Sequence, residues 1–454
     1  MAATTKTKQG RSRALTYQEL LDTDTRPVPE VLRAVNPLDL PYQEIAIDRY
    51  LSRDFFSLEI DKLWKRVWQM ACREDDISAV GDHLVYEIAG LSFIVVRTAA
   101  DQIRAFYNSC LHRGRLLREA GGQRAAEFRC PFHGFAWNLD GTLKHVPCQW
   151  DFPQLRAAEW SLPEAKVGTW GGFVFINPDP ACTPLDQFLG SELTEQFKRW
   201  PLERRFKQAH VAKILRCNWK VAQEAFMEAF HVVATHPQLL AGIGDANSQY
   251  DTWGNFSRAI TPNGTPSPHL SWQPSQQEMF DAMTDRRLDE PPVYKLPPGS
   301  TARQASAAAS RESLRSILGR AVDDLCDAEH VDSFYYTVFP NFHPWGAYNR
   351  IVYRFRPFGT EVEQSIMECL YLAPYKEGEK PPSAPMRLLG PDDDWCEAPE
   401  LGFLARVFNQ DVFNLPKVQL GLRTTAKKTV TPASYQETKI RHFHHTLSQW
   451  LARP

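Results

Sequence analysis

Along the chain the interval between apolar positions changes character several times. Residues 53–72, "RDFFSLEIDKLWKRVWQMAC", set Phe56, Ile60, Leu63 and Trp64 at helical spacing with charges between them, which predicts an amphipathic helix. From Gly81 the period shortens. "GDHLVYEIAGLSFIVVRTAADQIRAFYNSC" offers short β-branched and aromatic runs broken by Gly, Ala-Ala-Asp and Asn, the pattern of antiparallel strands. The texture continues through "FAWNLDGTLKHVP", where Asp140-Gly141 marks a hairpin turn, and ends near "KVGTWGGFVFINPDP". Residues 45–178 therefore read as a small all-β domain. Residues 1–44 before it form a polar, proline-spaced arm, extended with one short helix, that lies against the rest of the protein.

Residues 179–454 are mixed. "CNWKVAQEAFMEAFHVVATHP" is strongly helical, with Trp219, Ala222, Phe226, Ala229, Phe230 and Val233 facing a core. Residues 240–310 read as long loops with short helices. "YYTVFPNFHPWG", "RIVYRFRPFG" and "QSIMECLYLAP" read as strands of a sheet, and "APELGFLARVFNQDVFNLPKVQ" and "SYQETKIRHFHHTLSQWLA" as helices. The class is α+β.

Composition then narrows the function. Fifty-two basic and fifty-four acidic residues nearly cancel, which argues against a nucleic-acid or membrane-surface partner. Nine scattered cysteines make poor disulfide material and fit a reducing cytoplasm. The N-terminus lacks the apolar core of a secretory signal, and no apolar run approaches the ~20 residues that span a bilayer. No Gly-x-Gly-x-x-Gly follows a strand, so a nicotinamide cofactor is not expected to bind directly.

Two mixed pairs carry chemistry: Cys110-x-His112 and Cys130-x2-His133. Zinc sites usually group like with like, Cys with Cys and His with His. A Rieske-type two-iron cluster instead needs two thiolates on one iron and two imidazoles on the other, which two such loops supply when their tips meet. Gly114 and Gly134 follow the histidines and let backbone approach the sulfides.

The second constellation lies in "EAFMEAFHVVATHP". Glu224, Glu228 and His231 fall within about 40° of one line on a continuous helix. His236, five residues past His231, would point ~140° away, so the helix must loosen around Val233–Thr235; Pro237 favours this. Two histidines and one carboxylate on one face are the ligands of an open non-haem Fe(II) site. Spacing alone does not select the carboxylate. Glu224 is equally well a carboxylate supporting the site or a solvated helix residue. "HFHH" at 442–445 reads as a polar helix face, and His83, His145 and His343 as structural.

The motif "C-x-H-R-G … C-P-F-H-G" resembles the signature of the large (alpha) subunit of Rieske non-haem iron ring-hydroxylating oxygenases. Arg115 and Phe132 stand where respiratory Rieske proteins carry an extra cysteine, so the oxygenase type is the better match. Relatives often place Trp directly after His-Gly; here Phe135 follows and Trp137 comes later. The resemblance implies a Rieske domain joined to a helix-grip-like catalytic domain built around an antiparallel sheet. It implies a 2Fe–2S cluster on Cys110, His112, Cys130 and His133, and a mononuclear Fe(II) on His231, His236 and the late Asp411. It also implies that Glu228, where relatives commonly have Asp, links His231 to His133 of a neighbouring copy in a head-to-tail homotrimer, possible also as an α3β3 assembly. Ala225 replaces an Asn frequent in relatives. NADH-derived electrons would arrive through a reductase, with or without a ferredoxin, and O2 would hydroxylate a hydrophobic aromatic or polycyclic substrate. A demethylating monooxygenase of quaternary ammonium or methylated compounds is the alternative, and a purely electron-transferring Rieske protein a third.

Overall fold

The computed structural model describes residues 15–283 and 294–454. The expected polar start of the arm, residues 1–14, lies outside the described residues, as does part of the long-loop region.

Two antiparallel sheets organise the chain. The first has six strands in the order Gln69–Arg73, Phe173–Asn177, Glu164–Trp170, Gln102–Tyr107, Leu91–Ala99 and His83–Ile88. A three-stranded ribbon (Phe128–Arg129, Ala136–Trp137, Leu143–His145) sits beside it, and its Asp140-Gly141 turn has Gly141 at φ +84°. The second sheet has eight strands. Its order is Gln249–Trp253, Phe256–Thr261, Ser333–Val338, Phe342–Pro344, Ile351–Pro357, Ser365–Pro374, Arg205–Leu215 and Arg387–Leu389; only the last pairs in parallel. Helices Trp219–Glu224, Leu404–Thr424 and Thr438–Leu451 pack on this sheet.

Two strands inside the expected loop region were not read from the sequence. "QYDTW" and "FSRAIT" flank Gly254-Asn255 and pair tightly. A Gly-Asn step between β-prone runs is a hairpin signal, hidden by the Pro- and Ser-rich stretch that follows.

The helical segment also departs from expectation. The helix stops at Glu224, and residues 225–231 are turns before a single turn of helix, Val232–Thr235. Side chains divert the backbone donors a longer helix would need: Ala229 N donates to Tyr250 Oη (3.3 Å), and His231 N to Glu228 Oε2 (2.9 Å). The break thus comes before Val233 rather than across it, and Phe230, expected in the core, is exposed.

The arm is tied to the larger sheet. Tyr17 Oη donates to Asp332, and Arg303 bridges Asp24 and Asp332. Between the sheets lies a buried ionic knot. Glu368 accepts from Arg354 (2.6 Å), Arg356 (2.8 Å) and His210 (3.0 Å). Arg354 also donates to the carbonyls of Met70 and Ala71 on the smaller sheet, and Arg73 to that of Arg205 on the larger. A carboxylate held by two guanidiniums keeps its charge despite full burial, and Glu368 stays well below the usual carboxylate range although burial alone would raise it.

Candidate metal centres

The first centre is built by two loops of matching backbone. Cys110 N donates to Arg115 O and Gly114 N to Cys110 O; twenty residues on, Cys130 N donates to Phe135 O and Gly134 N to Cys130 O, all at 2.8–3.0 Å. Gly114 and Gly134 hold φ +75° and +80°, where a β-carbon is strained, which is why each loop can turn back within five residues. The tips bring the ligand candidates together. Cys110 and Cys130 are buried, and burial followed by the neighbouring Cys130 raises the Cys110 thiol. The imidazoles of His112 and His133 lie 4.7 Å apart between centroids. His133 is exposed, whereas His112 stacks on Phe135 (4.7 Å, 19°), the residue standing where relatives often have Trp.

Does this donor set fit a Rieske cluster? His112 Nδ1 is buried without a hydrogen-bond partner among the described residues. An orphaned imidazole nitrogen beside a second imidazole and two buried thiols is expensive unless a metal takes it. The residues fit.

The second centre is assembled from distant segments. His231 ends the turn region, His236 leaves the short helix at φ −127° just before Pro237, and Asp411 projects from helix Leu404–Thr424. Their ligand atoms lie within 4.8 Å of one another. Asp411 Oδ1 is 2.9 Å from His236 Nε2 and 3.5 Å from His231 Nε2. The other ring nitrogens are taken: His231 Nδ1 donates to Glu228 Oε1 (2.7 Å) and His236 Nδ1 to Gln410 Oε1 (2.8 Å). Metal-binding histidines are normally anchored in this way, which leaves both Nε2 lone pairs aimed at Asp411. Burial lowers the His231 pKa, but Glu228 and then Asp411 outweigh it and raise it to about 9. Two imidazoles and one carboxylate fit a divalent ion with open positions.

Gln410 was not singled out from the sequence, although its adjacency to Asp411 was the available signal. Glu224 belongs to neither centre. It accepts from Tyr50 Oη (3.0 Å) and His444 Nε2 (2.7 Å), and burial pushes its carboxyl up to about 8. His444 is therefore buried rather than part of a polar face. His343 is a core residue, bonded to Thr337 and Gln223.

A cavity of about 780 Å³ opens onto His231, His236 and Asp411, with Phe226, Trp345 and Tyr353 among its walls. Its volume suits a small organic molecule with most of its surface enclosed.

Residues 192–453 match the family model "Ring hydroxylating alpha subunit (catalytic domain)", and residues 67–156 match "Rieske [2Fe-2S] domain". Among curated proteins, the chain is 30% identical over 203 residues to the chlorobenzene dioxygenase subunit alpha of Cupriavidus sp. (strain PS12), covering 43% of this chain and 45% of that one. It is 28% identical over 189 residues to the carnitine monooxygenase oxygenase subunit of Escherichia coli (strain K12), covering 41% and 50%. The matched stretch thus spans about half the length of these relatives. Two solved structures share the fold. A quaternary ammonium Rieske monooxygenase superposes with TM-score 0.64 at 17% identity, covering 92% of this chain and 100% of that one. A naphthalene 1,2-dioxygenase variant bound to phenanthrene gives 0.64 at 16%, covering 91% and 94%.

Proposed function

Since the chain belongs to the ring-hydroxylating alpha-subunit family, we propose that it is the terminal oxygenase of a Rieske non-haem iron system, hydroxylating a hydrophobic, ring-containing substrate with O2. The observation that carries this reading is the convergence of His231, His236 and Asp411, with both outer imidazole nitrogens anchored, at the wall of a largely apolar cavity.

Cys110, Cys130, His112 and His133 would hold a 2Fe–2S cluster, and His231, His236 and Asp411 one ferrous ion. The cluster supplies single electrons, and the ferrous ion a place where dioxygen and substrate meet. The protein's own part is positional. Glu228 and Gln410 fix the histidine tautomers, the short helix Val232–Thr235 sets their separation, and Phe226, Tyr353 and Trp345 exclude water from the reacting face.

Glu228 would link His231 to His133 of a neighbouring copy in a head-to-tail trimer. A carboxylate offers about four acceptor sites, and His231 engages only two through its N and Nδ1, so an imidazole N–H can still be accepted. The exposure of His133 suits such a contact. Electrons would come from NADH through a separate reductase, directly or through a ferredoxin. The reducing cytoplasm is the expected location, in keeping with nine free cysteines; no helix among the described residues is long and apolar enough to cross a membrane.

A second reading has one observation in its favour. Tyr335, Trp345 and Tyr353 line the cavity together, and such rings can hold a quaternary ammonium group by cation–π attraction. Metal and sulfide analysis tests both readings against a bare electron carrier. An oxygenase holds a third iron that a chelator removes while the 2Fe–2S absorption stays; two irons and two sulfides alone would overturn the proposal. Substrate-dependent O2 uptake with a generic reductase then separates ring hydroxylation from demethylation by product mass.

A further inference from the structure

Among the described residues, the cavity wall holds a single lysine or arginine, Arg350. It sits just before strand Ile351–Pro357, its backbone fixed by Leu372 N donating to its carbonyl (2.6 Å), and the residue is solvent-exposed. Among the described residues its one polar side-chain contact is with Gln208 Oε1, at 3.4 Å, well beyond the ~2.9 Å of a good N–H···O bond. Gln208 reaches it because strand Arg205–Leu215 bulges there, its register shifting between Lys207 and Ala209. No carboxylate among the described residues pairs with this guanidinium. Comparable arginines of the same domain are engaged: Arg258 with Asp251, Arg303 with Asp24 and Asp332, Arg354 with Glu368. Of the acids lining the cavity, Glu228 pairs with His231 and Asp411 with His236, and Glu400 is held by Arg387 at 2.7 Å.

Several other polar groups of the wall are spent on neighbours, although the Trp345 indole N–H is buried without a partner among the described residues. Asn349 Nδ2 donates to the Asp332 and Gly346 carbonyls, Tyr371 Oη to Leu401 O, and Asn263 Nδ2 to Val331 O. Arg350 remains as one planar cation with unused donors on the wall of a largely apolar chamber that the His231–Asp411 site also lines. A guanidinium fork matches a carboxylate in shape and charge, and apolar walls strengthen the pairing.

We propose that the substrate of this chain carries a carboxylate that Arg350 binds on the cavity wall, with Gln208 beside it, while the apolar part lies against Phe226, Tyr353 and Trp345 next to the iron ligands. This rests on the oxygenase reading and narrows it: a neutral hydrocarbon would leave Arg350 without a partner, and a quaternary ammonium compound would fit only as a zwitterion bearing a carboxylate.

The test is calorimetric binding to the purified, iron-loaded protein without O2. The probes are 3-phenylpropanoate, 4-phenylbutanoate and 2-naphthoate, each beside its neutral primary amide, together with γ-butyrobetaine. At least one carboxylate should bind about 10- to 100-fold tighter than its amide, the range of charge-assisted hydrogen bonds, or γ-butyrobetaine should bind. Arg350→Gln should erase that preference while leaving amide affinity unchanged, and Arg350→Lys should restore part of it. No carboxylate preference across the series with no γ-butyrobetaine binding, or a preference that survives Arg350→Gln, overturns the proposal. Iron and sulfide content of the same sample reports separately on the oxygenase reading, so either idea can fail alone.

Discussion

The two candidate centres, the Cys/His loops and the His231–His236–Asp411 pocket, gather metal-ligand side chains by opposite means. The loops take all four ligand candidates from residues 110–133 and shape them with backbone: paired amide-to-carbonyl bonds and a left-handed glycine in each. The pocket takes two ligand candidates from one irregular turn and a third from a helix some 175 residues later, and aligns them with side-chain hydrogen bonds. The loops leave His133 exposed, while the pocket buries His236 and Asp411. Under the proposed function, the site that would hand on charge sits at a tip and the site that would exclude water sits inside.

If the two are independent, each can be emptied alone. Asp411→Ala should abolish hydroxylation and remove one iron per chain with sulfide and visible colour intact; Cys130→Ser should remove sulfide and colour. Iron-to-sulfide ratios check both, and an Asp411→Ala protein that keeps all its iron breaks the comparison. Next in size, Gln410→Leu deprives His236 Nδ1 of its acceptor and should weaken retention of the single iron ~10- to 100-fold in a chelator challenge, with no change in cluster absorption.

A third effect lies on stability. Burial raises the Glu224 carboxyl from 4.5 to about 8, so between those values the folded chain holds a proton that the unfolded chain has released. Stability contributed by that proton is present below 4.5 and lost as pH rises towards 8. Glu224→Gln should flatten the decline, measured by denaturant unfolding at about pH 5 and pH 8, and leave both metal contents unchanged. Smallest is Gly114→Ala. No atom lies within 4 Å of the added methyl, so only the left-handed backbone resists it, at about 1 kcal/mol, read as a small drop in melting temperature with the cluster retained.

The same contrast explains what could be read from the chain. Cys110, His112, Cys130 and His133 are close in sequence, and short spacing is all that a loop of this kind requires. His231 and His236 were legible as a pair because Pro237 limits the helix, yet the place of the break was not, since Tyr250 and the Glu228 side chain set it. Asp411 came only from resemblance: no periodicity ties a helix at 404–424 to a turn at 231, and it is the sheet that brings them face to face. Arg350 has no sequence signal at all. Its meaning lies in the lack of a carboxylate partner among the described residues.

The buried knot around Glu368 has a further consequence. Because Arg354 reaches across to Met70 and Ala71 while Glu368 holds it from behind, the two sheets are tied together by a buried charge cluster. Swinging the cluster tip towards the chain's own pocket would mean breaking a desolvated charge cluster, at a cost of several kcal/mol. Under the proposed mechanism the electron must then be borrowed from another copy. Rate per chain should therefore fall on dilution into the range where assemblies dissociate, and mass action, rather than any lid or hinge, would set the lower limit of working concentration.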